Sequence, residues 1–197
     1  MKSLTIVFVF HMLLFNQLSA QTAYKNSLKA FRTKYVTTHE VVKGKDKQFF
    51  RFYTIDSSYK VNAVFEKIQD TIGFTMKTSA GTTQHYFKYG KAIFNLQGSA
   101  YQLFIYQSKA LRYTSYKDYL FIPFTDLTTG DQTYGSGRYI DLLIPEIKNN
   151  RILVDFNKAY NPYCAYAAGY HCPIPPKENY LPIEVNAGEK VYAKPHH

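Results

Sequence analysis

The stretch Tyr101-Gln102-Leu103-Phe104-Ile105-Tyr106-Gln107 decides the fold class. Tyr101, Leu103 and Ile105 alternate with Gln102, Phe104 and Tyr106, and a period of two places successive side chains on opposite faces of a strand. Ile72, Phe74 and Met76 alternate with Gly73, Thr75 and Lys77 in the same way. Followed outward, the pattern predicts strands over Phe49–Ile55, Val61–Ile68, Ile72–Thr78, His85–Tyr89, Ala92–Leu96, Tyr101–Gln107, Leu120–Phe124, Tyr139–Ile144 and Ile152–Phe156. Turn-rich pieces separate them: Asp56-Ser57-Ser58, Ser79-Ala80-Gly81, Tyr89-Gly90-Lys91 and the cluster Asp126–Asp131. Short strands joined by tight turns predict a mainly β fold, an antiparallel barrel or split barrel. Nineteen Tyr, fifteen Phe and no Trp agree, because both rings favour strands and a tyrosine can pack its ring while its hydroxyl stays wet.

Upstream of the strands the chemistry differs. In Met1–Ala20, Lys2 supplies a positive start, Leu4–Phe15 an apolar run of twelve, and Leu18-Ser19-Ala20 small residues where a leader is cut. A run of twelve residues falls short of the roughly 20 apolar ones needed to span a bilayer. The expectation is a signal peptide over 1–20, cleavage near Ala20, and a single β-rich domain over 21–197, exported to a periplasm or secreted, with no stable membrane insertion. Tyr24, Leu28, Phe31 and Tyr35 then make one stripe at helical spacing, so Tyr24–Tyr35 is expected to be an N-terminal helix that docks on a sheet or caps a barrel end.

Formal net charge is +10, and loss of Lys2 with the leader leaves +9. The Lys and Arg residues are scattered singly between aromatics, so a solvated basic surface is the plainer reading and no nucleic-acid partner is expected. Standard catalytic signatures fail. Gly135-Ser136-Gly137 lacks the spacing of a nucleophile elbow, no third glycine completes a dinucleotide fingerprint, and His39-Glu40 is followed by Lys43 where a zincin needs histidine.

The last third, from Thr133 to Lys190, holds both cysteines and six of the eight prolines. After Phe156 periodicity stops for some twenty-five residues, until Leu181–Val185 restores a final strand; a long loop of this kind is often functional. Cys164 and Cys172 read first as a disulfide in an exported chain. Free thiols remain open, as does a metal site with His171 or Glu178, although the spacing fits no common zinc pattern and no metal is expected. Asp155 and Glu178 are the candidate acid/base pair if the loop folds back between them, against the plainer reading that Asx side chains satisfy turns. Tyr134-Gly135-Ser136-Gly137-Arg138 could form an anion nest with Arg138 as clamp, or simply a glycine hairpin. The candidate binding set is Arg138, Tyr139, Asn157, Tyr160, Asn161, Asn179 and Lys190, with Lys158 and Lys177 adding to a positive rim.

Four runs carry a resemblance. They are Thr133-Tyr134-Gly135-x-Gly137-Arg138-Tyr139-Ile140-Asp141; Asp155-Phe156-Asn157-x-Ala159-Tyr160-Asn161-Pro162-x-Cys164-Ala165-Tyr166; Cys172-Pro173-x-Pro175-Pro176-x-Glu178-Asn179-x-Leu181-Pro182; and Ala187-Gly188-Glu189-Lys190. Together they resemble a bacterial family of unknown function, the one catalogued as sixteen-eighty-four. The match covers most of the chain beyond the leader and is strongest over the last sixty residues. Ser136 departs from the pattern, which commonly has a third glycine there, and this weakens the nest. The resemblance transfers no reaction. It implies members without an export signal, hence a possible role for Cys164 and Cys172 besides a disulfide, and a likeness in strand content to flavin-binding split barrels.

The leading functional expectation is a small non-catalytic binding module for an anionic small molecule or glycan. The rivals are an enzyme or redox or metal protein centred on Asp155, Cys164, Cys172 and Glu178, and a flavin site with Arg138 on the phosphate. The sequence names no cofactor and no oligomeric state.

Overall fold

The computed structural model describes residues 2–194, with side chains from residue 19 onward. It divides into two units, residues 1–38 and 39–197, of which the first is a single helix, α1 (Lys2–Thr38). The expected Tyr24–Tyr35 helix is part of α1, which continues without a break through the predicted leader boundary at Ala20. The side chains of the apolar run Leu4–Phe15 lie outside the described ones.

The second unit is a mainly antiparallel eight-stranded sheet curled into a half-barrel. Its strands are β1 (Lys60–Lys67), β2 (Phe74–Lys77), β3 (Thr83–Leu96), β4 (Ser99–Ser108), β5 (Tyr119–Asp126), β6 (Arg138–Leu143), β7 (Arg151–Asp155) and β8 (Tyr180–Leu181). The order across the sheet is β6-β5-β4-β3-β1-β7, with β2 paired to β3 and the short β8 parallel to β5. One face builds the main core, because alternate residues point the same way: Val61, Ala63 and Phe65 on β1, Phe94 and Leu96 on β3, Leu103 and Ile105 on β4, and Leu120, Ile122 and Phe124 on β5. Ile140, Leu142, Ile152, Val154 and Phe156 complete it. The opposite face carries a second, aromatic cluster of Met76, Tyr86, Tyr106, Phe121 and Tyr139.

Several expectations change. Tyr89-Gly90-Lys91 is no turn: β3 runs through it with a bulge between Lys88 and Gly90. Glycine is required at position 90, where a Cβ would lie 2.4 Å from the Phe65 ring and 2.7 Å from the Glu66 carbonyl. The real turn is Gln97-Gly98, whose positive φ values of 52° and 84° make the two-residue hairpin that leads into β4. Phe49–Ile55 is not a strand either. A 3-10 turn covers Gly44–Phe49, and the extended residues after it pair with the chain's end through Tyr53 N to Gly188 O and Lys190 N to Arg51 O, with one isolated bridge, Phe52 to Glu189. The final strand is only Tyr180–Leu181, since Pro182 has no N–H to extend a ladder.

Arg138 is the largest correction. Its side chain is completely buried, not displayed to a ligand. Nη2 donates to Asp126 Oδ2 at 2.7 Å and to the Val185 carbonyl at 3.0 Å, while Nη1 donates to the carbonyls of Ala187 and Glu189. Asp126 Oδ1 meanwhile accepts from the Thr128 amide and hydroxyl, which fixes the expected turn at Asp126–Asp131. Gly137 feeds Arg138 inward with φ +85°, in a spot where a Cβ would meet the Phe124 carbonyl at 2.5 Å. Its amide donates to the Tyr134 carbonyl, so the glycines form the hairpin and not an anion nest.

Removing one partner of such a pair leaves an uncompensated buried charge. Arg138→Met is therefore expected to lower unfolding free energy by about 3–5 kcal/mol, measured by urea denaturation, and Arg138→Met with Asp126→Leu to lose less than the sum of the two single changes.

Candidate functional site: the aromatic face and Asp141

The segment after Phe156 is irregular but not loose. Tyr160 exchanges backbone hydrogen bonds with Tyr139 at the β6 edge, at 2.9 and 3.0 Å. Farther along, Ser79 N donates to Cys172 O and Ile174 N to Lys77 O, so the segment reaches the β2 side of the sheet. Between these anchors it crosses the aromatic face, where the Tyr139 hydroxyl donates to the Pro173 carbonyl. Cys164 and Cys172 are joined as a disulfide across a separation of eight residues, which leaves no thiolate for a metal. Among the described residues no group of three or more His, Cys, Asp or Glu is placed to hold a metal ion.

Asn179 then seats the segment in the sheet. β4 and β5 pair only at Tyr106 and Phe121, and the Asn179 side chain fills the gap beyond. Its Oδ1 accepts from the Phe104 amide at 2.8 Å, and its Nδ2 donates to the carbonyls of Phe104 and Pro123 at 2.9 and 2.8 Å. A primary amide is the side chain that can mimic a peptide group on both sides at once. Beside it, Glu178 accepts from the Tyr106 hydroxyl at 2.7 Å and pairs with Lys88 at 2.9 Å.

The other candidates are structural. Asp155 Oδ1 accepts from the backbone and side-chain nitrogens of Asn157, and Asn157 in turn holds both backbone groups of Asp56. Asp155 and Glu178 thus serve separate networks, and the acid/base pair is not formed. The Asn161 amide donates to the buried Glu189 carboxylate, and its side chain to the Lys190 carbonyl. The Lys190 ammonium lies over the Tyr53 ring, 4.7 Å from its centroid. Only Tyr139 and Tyr160 of the candidate binding set meet at the aromatic face, edge to face at 5.9 Å.

What they border was not singled out in the sequence: Asp141. It stands two residues after Tyr139 on β6, hence on the same face, while Ile140 and Leu142 point into the core. Its Oδ1 accepts from the Tyr119 hydroxyl at 2.7 Å and the Tyr160 hydroxyl at 2.6 Å. Among the described residues no other hydrogen bond and no ion pair reaches this carboxylate. Asp141 keeps exposed surface, yet the protein atoms around it are close enough to disfavour its charge. Crowding raises its pKa, and the two phenols partly offset that by donating to the charged form.

The phenols stay protonated. Burial, then the Asp141 charge, holds Tyr119 and Tyr160 well above the usual phenol value, and burial pushes Tyr86 up to about 12. At neutral pH the phenols of this face are neutral, and the hydroxyls of Tyr86, Tyr106, Tyr119, Tyr139 and Tyr160 all donate within the protein. Such a surface holds no activated phenolate nucleophile.

Two outcomes follow for stability. Cys172→Ser is expected to cost about 2–3 kcal/mol in urea denaturation, the loop-closure value for so short a span. For Asp141 the folded pKa lies above the unfolded 3.8, so the stability tied to this carboxyl is complete at acid pH and is lost as pH rises through the folded value. Asp141→Asn, which keeps the Oδ1 acceptor, should match or exceed the wild-type melting temperature at pH 7 and lose any advantage below about pH 4.

No curated protein matches this chain. An uncharacterized protein of Haloarcula marismortui, solved by solution NMR, shares 27% identity and a TM-score of 0.64, over 87% of this chain and 96% of its own. The family described as "protein of unknown function (DUF1684)" matches residues 47–190, a span that takes in the half-barrel, the cysteine loop and Asp141. The chain belongs to that family.

Proposed function

We propose that this chain is an exported binding module that takes a small polar molecule, glycan fragments included, at the surface around Asp141 beside the aromatic face. The observation that carries the reading is Asp141, an exposed carboxylate whose Oδ1 accepts from two tyrosines and whose Oδ2 accepts no hydrogen bond among the described residues. Tyr119 and Tyr160, both half-buried, fix the carboxylate's orientation. Export, with a leader over 1–20 cut near Ala20 and a mature domain over 21–197, is supported by the apolar run after Lys2. The disulfide is compatible with it, and no helix searched among the described residues is long and apolar enough to cross a membrane.

The flavin-phosphate version needs Arg138 on the phosphate, and the anionic-ligand version counts it with Lys158, Lys177 and Lys190; its Nη1 and Nη2 donors are taken inside the core. The enzyme version needs Asp155 and Glu178 beside Cys164 and Cys172, and these carboxylates hold a turn and a lysine while the cysteines are joined. Binding at the surface around Asp141 is the reading the geometry favours.

A thermal-shift screen of neutral sugars, amines and carboxylates tests this. A ligand that raises the wild-type melting temperature by several degrees should lose its effect in Tyr160→Ala and keep it in Lys194→Ala, whose side chain pairs with Asp46. Shifts that persist in the Tyr160 variant, or no shift from any class, would remove the proposal.

A further inference from the structure

We infer that the turn at Ile72 and the loop 109–118 form a docking surface for an anionic lipid membrane, because nearly bare apolar side chains stand there among lysines and an arginine. The inference does not depend on ligand binding at Asp141. Ile72 is 84% exposed on the turn between β1 and β2. Tyr113 is 88% and Tyr116 66% exposed on the loop between β4 and β5. Single apolar residues scattered over a surface need no explanation, but these share one corner. His85 Nε2 lies 3.1 Å from the Ile72 carbonyl, and the Lys109 amide donates to the His85 carbonyl at 3.0 Å. Turn and loop thus meet through one residue of β3.

The loop holds these side chains outward on a satisfied backbone. The amides of Leu111, Thr114 and Lys117 donate to the carbonyls of Ser108, Leu111 and Thr114 in turn. The Thr114 hydroxyl accepts from the Tyr116 amide at 3.1 Å, and the Gln107 side chain donates to the Lys117 carbonyl at 2.7 Å. A loop ordered in advance loses little freedom on docking. Basic groups surround it. Lys109 and Lys117 are exposed on the loop, and the Arg112 guanidinium lies 4.5 Å from the Phe87 ring centroid. Lys67, at the end of β1, sits over the Tyr89 ring, and burial, then the Arg112 charge, lowers its pKa. Among the described residues no ion pair reaches any of these four cations.

The acids nearby are Asp118, whose charge is felt at Tyr89, and Asp70, whose oxygens take the amides of Ile72, Gly73 and Lys88. The corner therefore repeats locally the basic excess of the whole chain, 24 Lys and Arg against 14 Asp and Glu. An anion from outside relieves that repulsion. A soluble polyanion would answer the charges and leave Ile72 bare. A phospholipid surface answers both: anionic headgroups attract Lys and Arg, tyrosine rings settle at headgroup level, and an aliphatic tip reaches the acyl boundary. The contact is peripheral, made by loop tips and not by a crossing segment.

The chain contains no Trp, so Tyr113→Trp in the full chain gives fluorescence that reads this loop alone. With phosphatidylglycerol vesicles its emission is expected to shift to the blue and to be quenched by lipid brominated in the upper acyl chain. Phosphatidylcholine vesicles, or phosphatidylglycerol at about 1 M salt where screening acts within about 3 Å, should leave it as in water. Lys109→Ser with Lys117→Ser, in the same background, should weaken vesicle binding at least about tenfold. Leu127→Trp, just past the opposite end of β5, separates oriented docking from adsorption through the apolar run Leu4–Phe15. That indole should stay unquenched. An unquenched Tyr113→Trp indole overturns the inference, as does equal quenching of both reporters or unchanged affinity in the lysine variant. A blue shift with heparin and none with vesicles overturns it in favour of an acidic glycan. Should Tyr113→Trp fail to fold, Tyr116→Trp takes its place with the same expectations.

Discussion

The buried guanidinium of Arg138 holds the half-barrel shut. β6 begins at this residue, and its side chain reaches through the core to Asp126 at the end of β5 and to three carbonyls between Val185 and Glu189. Those carbonyls belong to a segment with almost no strand ladder of its own, so side-chain donors satisfy it where sheet partners would have done so elsewhere. Val185 and Ala187, fully buried, then cap the core at that end. A charge placed there is expensive unless every donor is answered, and nearly all of this one's are.

From that anchor the covered aromatic face is assembled by a short chain of constraints. The hairpin that turns Arg138 inward places Tyr139 and Asp141 on the opposite face, because neighbours on a strand alternate. Tyr160 reaches them by pairing with the β6 edge, and Asn179 returns the segment to the sheet between β4 and β5. The disulfide and Pro173 hold the middle of the crossing over the tyrosines. The aromatic face thus depends on residues that lie away from it.

The fold class was legible from residues such as Leu103 and Ile105, whose period of two is a local property. The disulfide was legible from two cysteines close together in an exported-looking chain. The bulge at Gly90 was not, since a glycine between aromatics signals a turn and a close approach equally well, and only Phe65 on a neighbouring strand decides between them. Arg138 misled for a similar reason: beside two glycines it reads as a clamp, and the carbonyls that claim it lie some fifty positions away. Asp141 was hidden by its company in Tyr-Ile-Asp-Leu, although the alternation that buries Ile140 and Leu142 already set it beside Tyr139. Long-range partners, not local pattern, separated the structural polar residues from the exposed one.

The disulfide has a further consequence for the segment that crosses the aromatic face. A loop tied by Cys164 and Cys172 keeps its tie only where thiols are oxidised. Inside a reducing compartment the crossing segment would have its hydrogen bonds to β2 and β6 but no covalent closure, and its irregular backbone would open at lower cost. The firmness of this covering would then follow the redox state of the surroundings, and the tyrosines beneath it would be most securely held where oxidation is maintained.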